Sequence, residues 1–445
     1  MSIRAVFAFL MGDRRAILAI AADRRALVVG ALLVLSAAVA RNYDQVWLIG
    51  EPWRLLGPFV ASLAISVPLF LTIYGFARLK GMVPVGMARA YGAFLALYWM
   101  TAPLAWLYGV PYERFLDPLD AVSKNLWTLA LVSVWRVALM VQVVSVIFGM
   151  KVRVALPLVM LVADAAALTA LWFIPLPVVG MMGGVSPEQE AVALTALMVR
   201  ALGILSLPVW IVLVIWFASN SEEIPEWQVP AEPEPHAAGR GAIVFAGLAL
   251  LAWAALLPIT QPGQLRAHRV DLAYDEGGPT AALALMSSHD RRDFPPGWVA
   301  PPRRFPGEPT TDEVFDMLEA LAEQPHADWV EDVYADRFIN RVRYDWFEWP
   351  AELLDQHAER LAAILTHLRR GPGMVRELDR VARQWGNQSI EQRLEDESLS
   401  ESRREALQAL GRLARTEEDE DEPTSAPEPE APPEDGGATP GDEGT

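Results

Sequence analysis

Hydrophobic residues are concentrated in the first 260 positions, where they form long runs separated by short polar segments. A helix needs about 20 apolar residues to cross the hydrocarbon core of a bilayer, with a range of roughly 17–25. Seven runs approach or reach this length, at residues 26–40, 55–77, 90–110, 126–148, 154–174, 192–217 and 242–260. The pattern predicts an all-α fold built on a polytopic transmembrane helix bundle of about seven spans.

The run at 26–40 is the shortest, and Arg24, Arg25 and Arg41 flank it. It spans a bilayer only if these side chains extend their charged groups to the two interfaces. The preceding segment, residues 1–25, contains two apolar stretches broken by GDRR. This amphipathic pattern predicts an interfacial segment that lies in the headgroup plane.

Polar segments divide the rest of the chain. Residues 221–241, with SEEIPEWQVPAEPEPH, have the proline and acid content of a linker between the first six spans (26–220) and the seventh (242–260). Residues 261–415 are predicted to form a small soluble helical domain. Residues 416–445 hold 12 acidic residues and no basic ones. Because this segment cannot form a core, it is predicted to be a disordered acidic tail.

Helical periodicity recurs within 261–415. TTDEVFDMLEALAEQ opens with a capping box formed by Thr310 and Glu313. Further helices are predicted over 327–349, 351–370, 374–385 and 401–414. In the helix at 351–370, four leucines form one apolar stripe, and Gly371-Pro372-Gly373 is predicted to end it.

A proline-dense strip, DFPPGWVAPPRRFPG at 293–307, precedes these helices. Its composition predicts an extended polyproline II conformation. Trp298 and Phe305 are large apolar side chains that need a surface to cover them. We therefore expect the strip to lie against the helices.

Basic residues predict the orientation, because cytoplasmic loops carry an excess of Lys and Arg. With the N-terminus inside, the inner segments hold eleven basic residues, and the outer loops hold only Arg41, Arg54, Arg114 and Lys124. Seven spans then place the C-terminal domain outside. The predicted location is the inner (plasma) membrane, with a cytoplasmic N-terminus and an extracytoplasmic C-terminal domain.

The formal net charge of −18 belongs mainly to the C-terminal part of the chain. Residues 1–265 hold 17 Lys and Arg against 15 Asp and Glu. No basic patch is dense enough for a nucleic-acid partner. The chain has no cysteine, which excludes disulfides, thiolate metal ligands and cysteine nucleophiles.

Three charges fall near the middle of predicted spans: Arg136, Asp164 and Arg200. A charge at the centre of a span costs about 2.5–3.5 kcal/mol on insertion scales, and apolar neighbours can offset this cost. Small residues around Asp164 and Arg200 permit close helix approach, so all three charges are expected to face protein. One interpretation is a structural ion pair or triad. The other is an intramembrane polar site for a small, anionic solute, because two arginines and one carboxylate leave a spare positive charge.

Motifs for catalysis are missing from the sequence. There is no H-E-x-x-H helix, G-x-S-x-G elbow, Walker A loop or G-x-G-x-x-G. His357 and His367 share one predicted helix face but have no third ligand nearby. Asp164 is the only carboxylate at membrane depth, whereas intramembrane aspartyl proteolysis needs two. No catalytic residue, cofactor-binding residue or metal ligand is predicted.

The run LLVLSAAVARNYDQVWLIGEPWRLLGPFVASLAIS, together with DFPPGWVAPPR far downstream, resembles a family of uncharacterised multi-pass bacterial membrane proteins. The resemblance implies a membrane protein and no particular activity. From the residues themselves, Tyr43, Trp47 and Trp53 are predicted to lie in the first outer loop as interface anchors.

Two functions follow from the sequence. The first is a membrane-anchored interaction, scaffold or sensor protein, with the lipid bilayer around its bundle and a protein partner bound by residues 261–415. The second is a transporter or permease for a small anionic solute, using Arg136, Asp164 and Arg200. The first rests on the size of the C-terminal domain, and the second on the charges within the spans.

Overall fold

The computed structural model describes residues 2–83, 85–172, 187–222, 224–230, 241–295, 298–303, 309–344, 350–384 and 389–415. Within these ranges every regular element is a helix. The predicted tail at 416–445, half of the predicted linker at 221–241 and Phe305 lie outside the described residues. The chain divides into two compact units, Met1–Val333 with Tyr344–Trp346, and Tyr334–Arg343 with Phe347–Thr445.

The helices of the first unit follow the apolar runs of the sequence. They are α1 (Ile3–Leu10), α2 (Arg14–Ala22), α3 (Ala26–Asn42), α4 (Gly57–Leu79), α5 (Met87–Trp99), α6 (Pro118–Ile147), α7 (Val152–Leu171), α8 (Pro187–Asn220), α9 (Gly241–Ala254), α10 (Leu257–Ser287) and α11 (Thr311–Glu323). Short 3-10 helices lie at Pro52–Leu56, Ala102–Gly109, Tyr112–Arg114 and Arg291–Asp293.

Five helical stretches in the described residues are long and apolar enough to cross a membrane: Pro52–Leu79, Met87–Arg114, Pro118–Ile147, Val152–Leu171 and Glu190–Asn220. The pair α9 and α10, bent by 46° at a short break, makes a sixth if it is one span. The protein is therefore a membrane protein with five or six candidate spans. The predicted count of seven is not confirmed, because α3 has only 17 residues and is about 25 Å long against a hydrocarbon core of about 30 Å.

Helix α3 is short but central. Ten of its residues are buried, and it packs against α5, α9 and the 3-10 helix Ala102–Gly109. At Gly30, an added Cβ would lie 2.8 Å from the Cβ of Trp99, so only glycine permits this approach. Ser36 donates a hydrogen bond to the Leu33 carbonyl and accepts one from Trp106 Nε1 at 3.0 Å. Both polar groups are thus paired inside the bundle, as burial requires.

Contacts at the helix ends define two ends of the bundle, which we name the Lys80 end and the Tyr43 end. At the Lys80 end, Lys80 Nζ donates to the backbone carbonyls of Ala218 and Ser221, which joins the last turns of α4 and α8. At the Tyr43 end, Thr260 Oγ1 and Gln261 Nε2 donate to the Tyr43 carbonyl. Consecutive helices α3, α4, α5 and α6 run alternately between these two ends.

The N-terminal segment forms two helices, and their apolar faces are buried against the bundle. Val6, Phe9, Ile17 and Ile20 are fully buried, and Trp135 Nε1 of α6 donates to the carbonyl of Leu10. The predicted break at GDRR is present between α1 and α2. Helix packing covers part of the apolar surface of the segment, and its position in the headgroup plane stays a prediction.

The predicted boundary between the seventh span, 242–260, and the soluble domain from 261 falls inside α10. This helix continues to Ser287 and is interrupted only at Gly278, whose φ of +71° lies in the left-handed region that glycine tolerates. Pro258 lies in the first turn, where proline is tolerated because its missing N–H would have no helical partner. The change from apolar to polar composition is therefore not a helix end.

The remaining helices are α12 (Asp328–Tyr344), α13 (Pro350–Leu365), α14 (Gly371–Gln384), α15 (Ile390–Leu394) and α16 (Glu401–Arg415). The predicted leucine stripe of α13 is buried at Leu354, Leu361, Leu365 and Leu368, and the capping box of Thr310 and Glu313 opens α11. Gly371-Pro372-Gly373 was expected to end a helix and instead begins α14, since proline fits a first turn. The structure adds α15, which opens with a capping box of Ser389 and Gln392.

Candidate functional site

Arg136, near the middle of α6, is half-buried and stacks on an aromatic ring. Its Cζ lies 4.5 Å from the centroid of the buried Tyr98 ring, a cation–π arrangement. The phenol of Tyr108 also lies within electrostatic reach of Arg136 and of Arg41. The guanidinium therefore faces protein, and Arg136 makes no ion pair with any described residue.

Asp164, on α7, is half-buried and accepts hydrogen bonds from two side chains of α8. The donors are the Ser206 hydroxyl and Trp210 Nε1, the latter at 2.8 Å. Ser206 and Trp210 are four residues apart, so one face of α8 presents both donors. This carboxylate is held by neutral donors, and among the described residues it has no cationic partner.

Arg200 lies on α8, the helix that also carries Ser206 and Trp210. Its Nη2 donates to the Leu171 carbonyl at the last turn of α7, where cations interact favourably with the helix dipole. The predicted small-residue seam is present, because Ala196 is buried and a Cβ at Gly203 would lie 3.1 Å from the Leu168 side chain. Close packing of α7 and α8 thus places both Asp164 and Arg200.

The three charges have separate partners. Arg136 contacts the ring of Tyr98, Asp164 contacts Ser206 and Trp210, and Arg200 contacts a helix C-terminus. The expected ion pair or triad is not present, since no oxygen of Asp164 lies within 4.0 Å of either guanidinium in the described structure. An intramembrane polar site made of all three residues stays a prediction.

A cavity of about 680 Å³ lies at the Tyr43 end of the first unit. Its walls come from three separate parts of the chain: residues 40–54, residues 108–113 with Asn125, and residues 264–303 of α10 and the strip that follows it. This volume is within the range of about 300–1,000 Å³ typical of small-molecule sites. The sequence analysis did not predict this cavity.

Side chains of α10 hold the loop that forms one wall. Gln261 Nε2 donates to the carbonyls of Tyr43 and Val46, and its Oε1 accepts from the Ile49 N–H. Gln264 Nε2 donates to the Asp44 carbonyl at 2.7 Å. Gln261 and Gln264 are both buried. A buried amide that pairs with backbone groups over 200 residues away in sequence fixes the loop against the helix.

Most charges of the cavity are paired. Asp44 binds Arg114 through two hydrogen bonds, one of them 2.9 Å from Nε. Glu51 binds Arg54, and Asp271 binds Arg303. In each pair the carboxylate lines the cavity and a guanidinium neutralises it.

Two opposite charges in the cavity wall have no ion-pair partner in the described part of the chain. Arg41 is exposed and makes no side-chain hydrogen bond there. Glu113 accepts a hydrogen bond from Asn125 Nδ2 at 2.7 Å and has no cationic partner. Both residues line the cavity. The site therefore offers one available cation and one available carboxylate.

Aromatic rings complete the walls. Trp47 packs against His268 with ring centroids 4.8 Å apart, and Trp298 stacks on Phe294 at 4.5 Å. Phe294 belongs to the same strip as Trp298, and its ring in turn contacts Trp329 of α12. Burial raises the pKa of the Tyr43 phenol, and the nearby Asp44 and Glu113 raise it further, with Arg114 opposing. Tyr43 accordingly stays protonated and donates to the Gly109 carbonyl.

A signal for this cavity was present in the sequence. The two stretches that carried the family resemblance, NYDQVWLIGEPWR and DFPPGWVAPPR, are mixtures of aromatic, acidic and basic residues between apolar runs. The structure places both on the walls of one cavity. Their proximity depends on α10 returning to the first loop, which local sequence patterns do not specify.

Comparisons of this chain with models of known families, with curated proteins and with solved structures find no match. Within the described residues, no group of three or more acidic or histidine side chains is arranged to hold a metal ion. The fold and the site therefore define a helical membrane protein with a polar cavity at one end of its bundle.

Proposed function

We propose that this protein is a membrane-anchored sensor, which binds a small ligand in the cavity at the Tyr43 end and a protein partner through residues 261–415. The observation that carries the proposal is the construction of the cavity. Its walls join the loops of the bundle to α10, the helix that begins the C-terminal region. A ligand in this cavity contacts the loops of the bundle and α10 at the same time. Its binding can therefore affect the C-terminal region, as the function of a sensor requires.

The proposal includes a topology. All seven apolar helices cross the inner membrane of a bacterial cell, the N-terminus is cytoplasmic, and residues 261–415 are soluble and extracytoplasmic. The asymmetry of eleven inner against four outer basic residues supports this orientation. Burial of α3 in the bundle supports its crossing, since neighbouring helices and flanking arginines compensate for its short length.

Site-specific photocrosslinking in cells tests the interaction. A photoreactive residue replaces Glu397, between α15 and α16, or Arg412 of α16, and a matched control carries it at Leu202, an exposed apolar residue of α8. We expect one discrete crosslinked protein from a C-terminal position and none of the same mass from Leu202. We also expect Gln264→Ala, which loosens the cavity wall, to change the yield. No discrete product from either C-terminal position contradicts the proposed partner.

A transporter is the second candidate, favoured by Arg136. Arg136, which has no ion-pair partner among the described residues, lies within electrostatic reach of Tyr108, which lines the cavity, so a positive charge is present near the cavity. Under this function, Arg136→Ala abolishes uptake of an anionic solute by proteoliposomes, whereas Arg54→Ala, in an exposed ion pair, leaves uptake intact. Unchanged uptake by Arg136→Ala, with lowered stability, excludes this candidate.

A further inference from the structure

We propose that the cavity at the Tyr43 end binds a zwitterion made of a phosphate and an ammonium group, the chemistry of phosphoethanolamine. The inference rests on the ligand-binding role of the cavity in the proposed function and names the class of ligand. The phosphate pairs with Arg41 and the ammonium with Glu113. The ligand is either the headgroup of a membrane lipid or the free compound.

The charge pattern of the cavity is the first argument. Four carboxylates line it, and three of them, Asp44, Glu51 and Asp271, are already neutralised by arginines. Glu113 is the carboxylate that remains, and Arg41 is the matching cation. A ligand with a single charge would leave one of these two groups unpaired, and a zwitterion satisfies both.

The surroundings of Arg41 favour an anion. Arg41 and Tyr108 both line the cavity, and Tyr108 lies within electrostatic reach of Arg41 and of Arg136, which is outside the cavity lining. Neither arginine has an acidic partner among the described residues, so both add positive charge near Tyr108. Arginine binds phosphate through two parallel N–H groups, and a tyrosine hydroxyl can donate a further hydrogen bond.

The surroundings of Glu113 favour an ammonium group. The Asn125 amide donates to one carboxylate oxygen, which leaves the other oxygen for a ligand. Tyr43 and Trp47 line the same cavity, and aromatic faces attract cationic nitrogen. An ammonium group also supplies three donors to these acceptors.

The position of the cavity relates it to lipid headgroups. Its walls are the ends of apolar helices and the loops between them, where tyrosine and tryptophan are enriched in membrane proteins. Phosphate and ammonium groups are dense at this depth of a bilayer. A zwitterionic headgroup is therefore one available source of the ligand.

Calorimetric titration tests the inference with the full-length protein in nanodiscs of phosphatidylglycerol, which lack the proposed headgroup. The probes are phosphoethanolamine, inorganic phosphate and ethanolamine. We expect phosphoethanolamine to bind at least tenfold more tightly than either single-charge compound. Equal binding of phosphate and phosphoethanolamine overturns the inference, and so does the absence of phosphoethanolamine binding.

Matched variants test which two charged residues bind the ligand. Arg41→Gln and Glu113→Gln should each weaken phosphoethanolamine binding at least tenfold. The controls Arg24→Gln and Glu222→Gln change exposed charges that do not line the cavity, and should stay within threefold of the wild type. Loss of binding in the controls, or none in Arg41→Gln and Glu113→Gln, contradicts the assignment. Thermal unfolding of each variant identifies any that is misfolded, and Arg41→Lys, which keeps the charge, should recover part of the affinity.

A second set of nanodiscs, which contain phosphatidylethanolamine, distinguishes a lipid headgroup from the free compound as the source of the ligand. A lipid headgroup in the cavity competes with the probe and lowers its apparent affinity. If the free compound is the ligand, the affinity is the same in both lipids. If phosphoethanolamine does not bind but the C-terminal crosslink forms, the proposed ligand class is wrong and the proposed protein partner stands. If phosphoethanolamine binds but no crosslink forms, the protein partner is contradicted and the ligand class stands.

Discussion

Asp164 shows how a single charge is accommodated within an apolar helix pair. Its carboxylate has no cation beside it among the described residues, yet Ser206 and Trp210 both donate to it from the facing helix. In a bilayer such donors have few other partners, because no water reaches them. The residue therefore stabilises the contact between α7 and α8 through hydrogen bonds rather than through an ion pair.

Replacing this carboxylate should destabilise the bundle. Asp164→Ala leaves the Ser206 hydroxyl and the Trp210 indole N–H without an acceptor, and we expect a loss of about 1–2 kcal/mol, near the upper end for polar contacts in membranes. Asp164→Asn keeps one acceptor oxygen and should lose less. Thermal unfolding in detergent measures both, with Thr169→Ala as control because its hydroxyl bonds only within its own helix. Equal stability of Asp164→Ala and the wild type would refute this role.

The sequence identified Arg136, Asp164 and Arg200 as the charges within apolar helices, since hydropathy alone locates them. It did not identify their partners. Tyr98 is 38 residues from Arg136, and Trp210 is 46 residues from Asp164. Which side chains meet depends on helix rotation and tilt, and small packing preferences set both.

At the scale of elements, α12 and α14 are joined by one shared carboxylate in the second unit. Glu377 of α14 binds Arg380 on its own helix and Arg343 of α12. The hydrogen bond from Arg380, followed by that from Arg343, lowers the pKa of Glu377 to about 2, although burial opposes the shift. The charged form of Glu377 is therefore the one that the folded state prefers.

This shift predicts an acid-sensitive contact. A carboxylate with a lowered pKa contributes stability above its unfolded value of 4.5, and the contribution is lost as the pH falls from there towards about 2. We expect Glu377→Gln to cost about 1–2 kcal/mol at pH 7, after solvent screening, and much less at pH 2.5. Chemical unfolding followed by circular dichroism at both pH values measures the difference. Glu391→Gln, in a long and exposed contact with Arg415, is the control, and an equal cost for Glu377→Gln at both pH values would argue against the shift.

Helix boundaries show where local patterns suffice. Capping boxes predicted the start of α11, and apolar periodicity predicted the buried stripe of α13. The pattern at 371–373 was misinterpreted because glycine and proline can end one helix or begin the next. Continuity of α10 past residue 260 was also missed, since a helix can cross from apolar to polar surroundings without a break.

At the scale of the whole molecule, the topology depends on how many helices cross the membrane. Five stretches meet the length and hydropathy requirements, α9 with α10 makes a sixth, and α3 makes the seventh of the proposed topology. Each helix added or removed moves residues 261–415 to the opposite side. The position of the proposed cavity relative to the two compartments changes with it.

Because the chain has no cysteine, a single introduced cysteine can be labelled selectively. Such labelling from one side of the membrane tests the number of crossings. We expect a cysteine at Glu397 to react with a membrane-impermeant maleimide added to spheroplasts. A cysteine at Ser2 should react only after lysis, because seven crossings place the two positions on opposite sides. Glu222→Cys, at the Lys80 end, is the control for the cytoplasmic side. Labelling of Ser2 and Glu397 from the same side would indicate an even number of crossings.

Hydropathy along the chain was enough to establish a helical membrane protein, because the cost of leaving backbone groups unpaired in lipid forces long apolar runs into helices. Composition alone also excluded cysteine chemistry. The cavity was decided by tertiary structure: Gln261 and Gln264 of α10 bind a loop more than 200 residues earlier. Contacts at that separation depend on how the whole bundle packs, and no local periodicity encodes them.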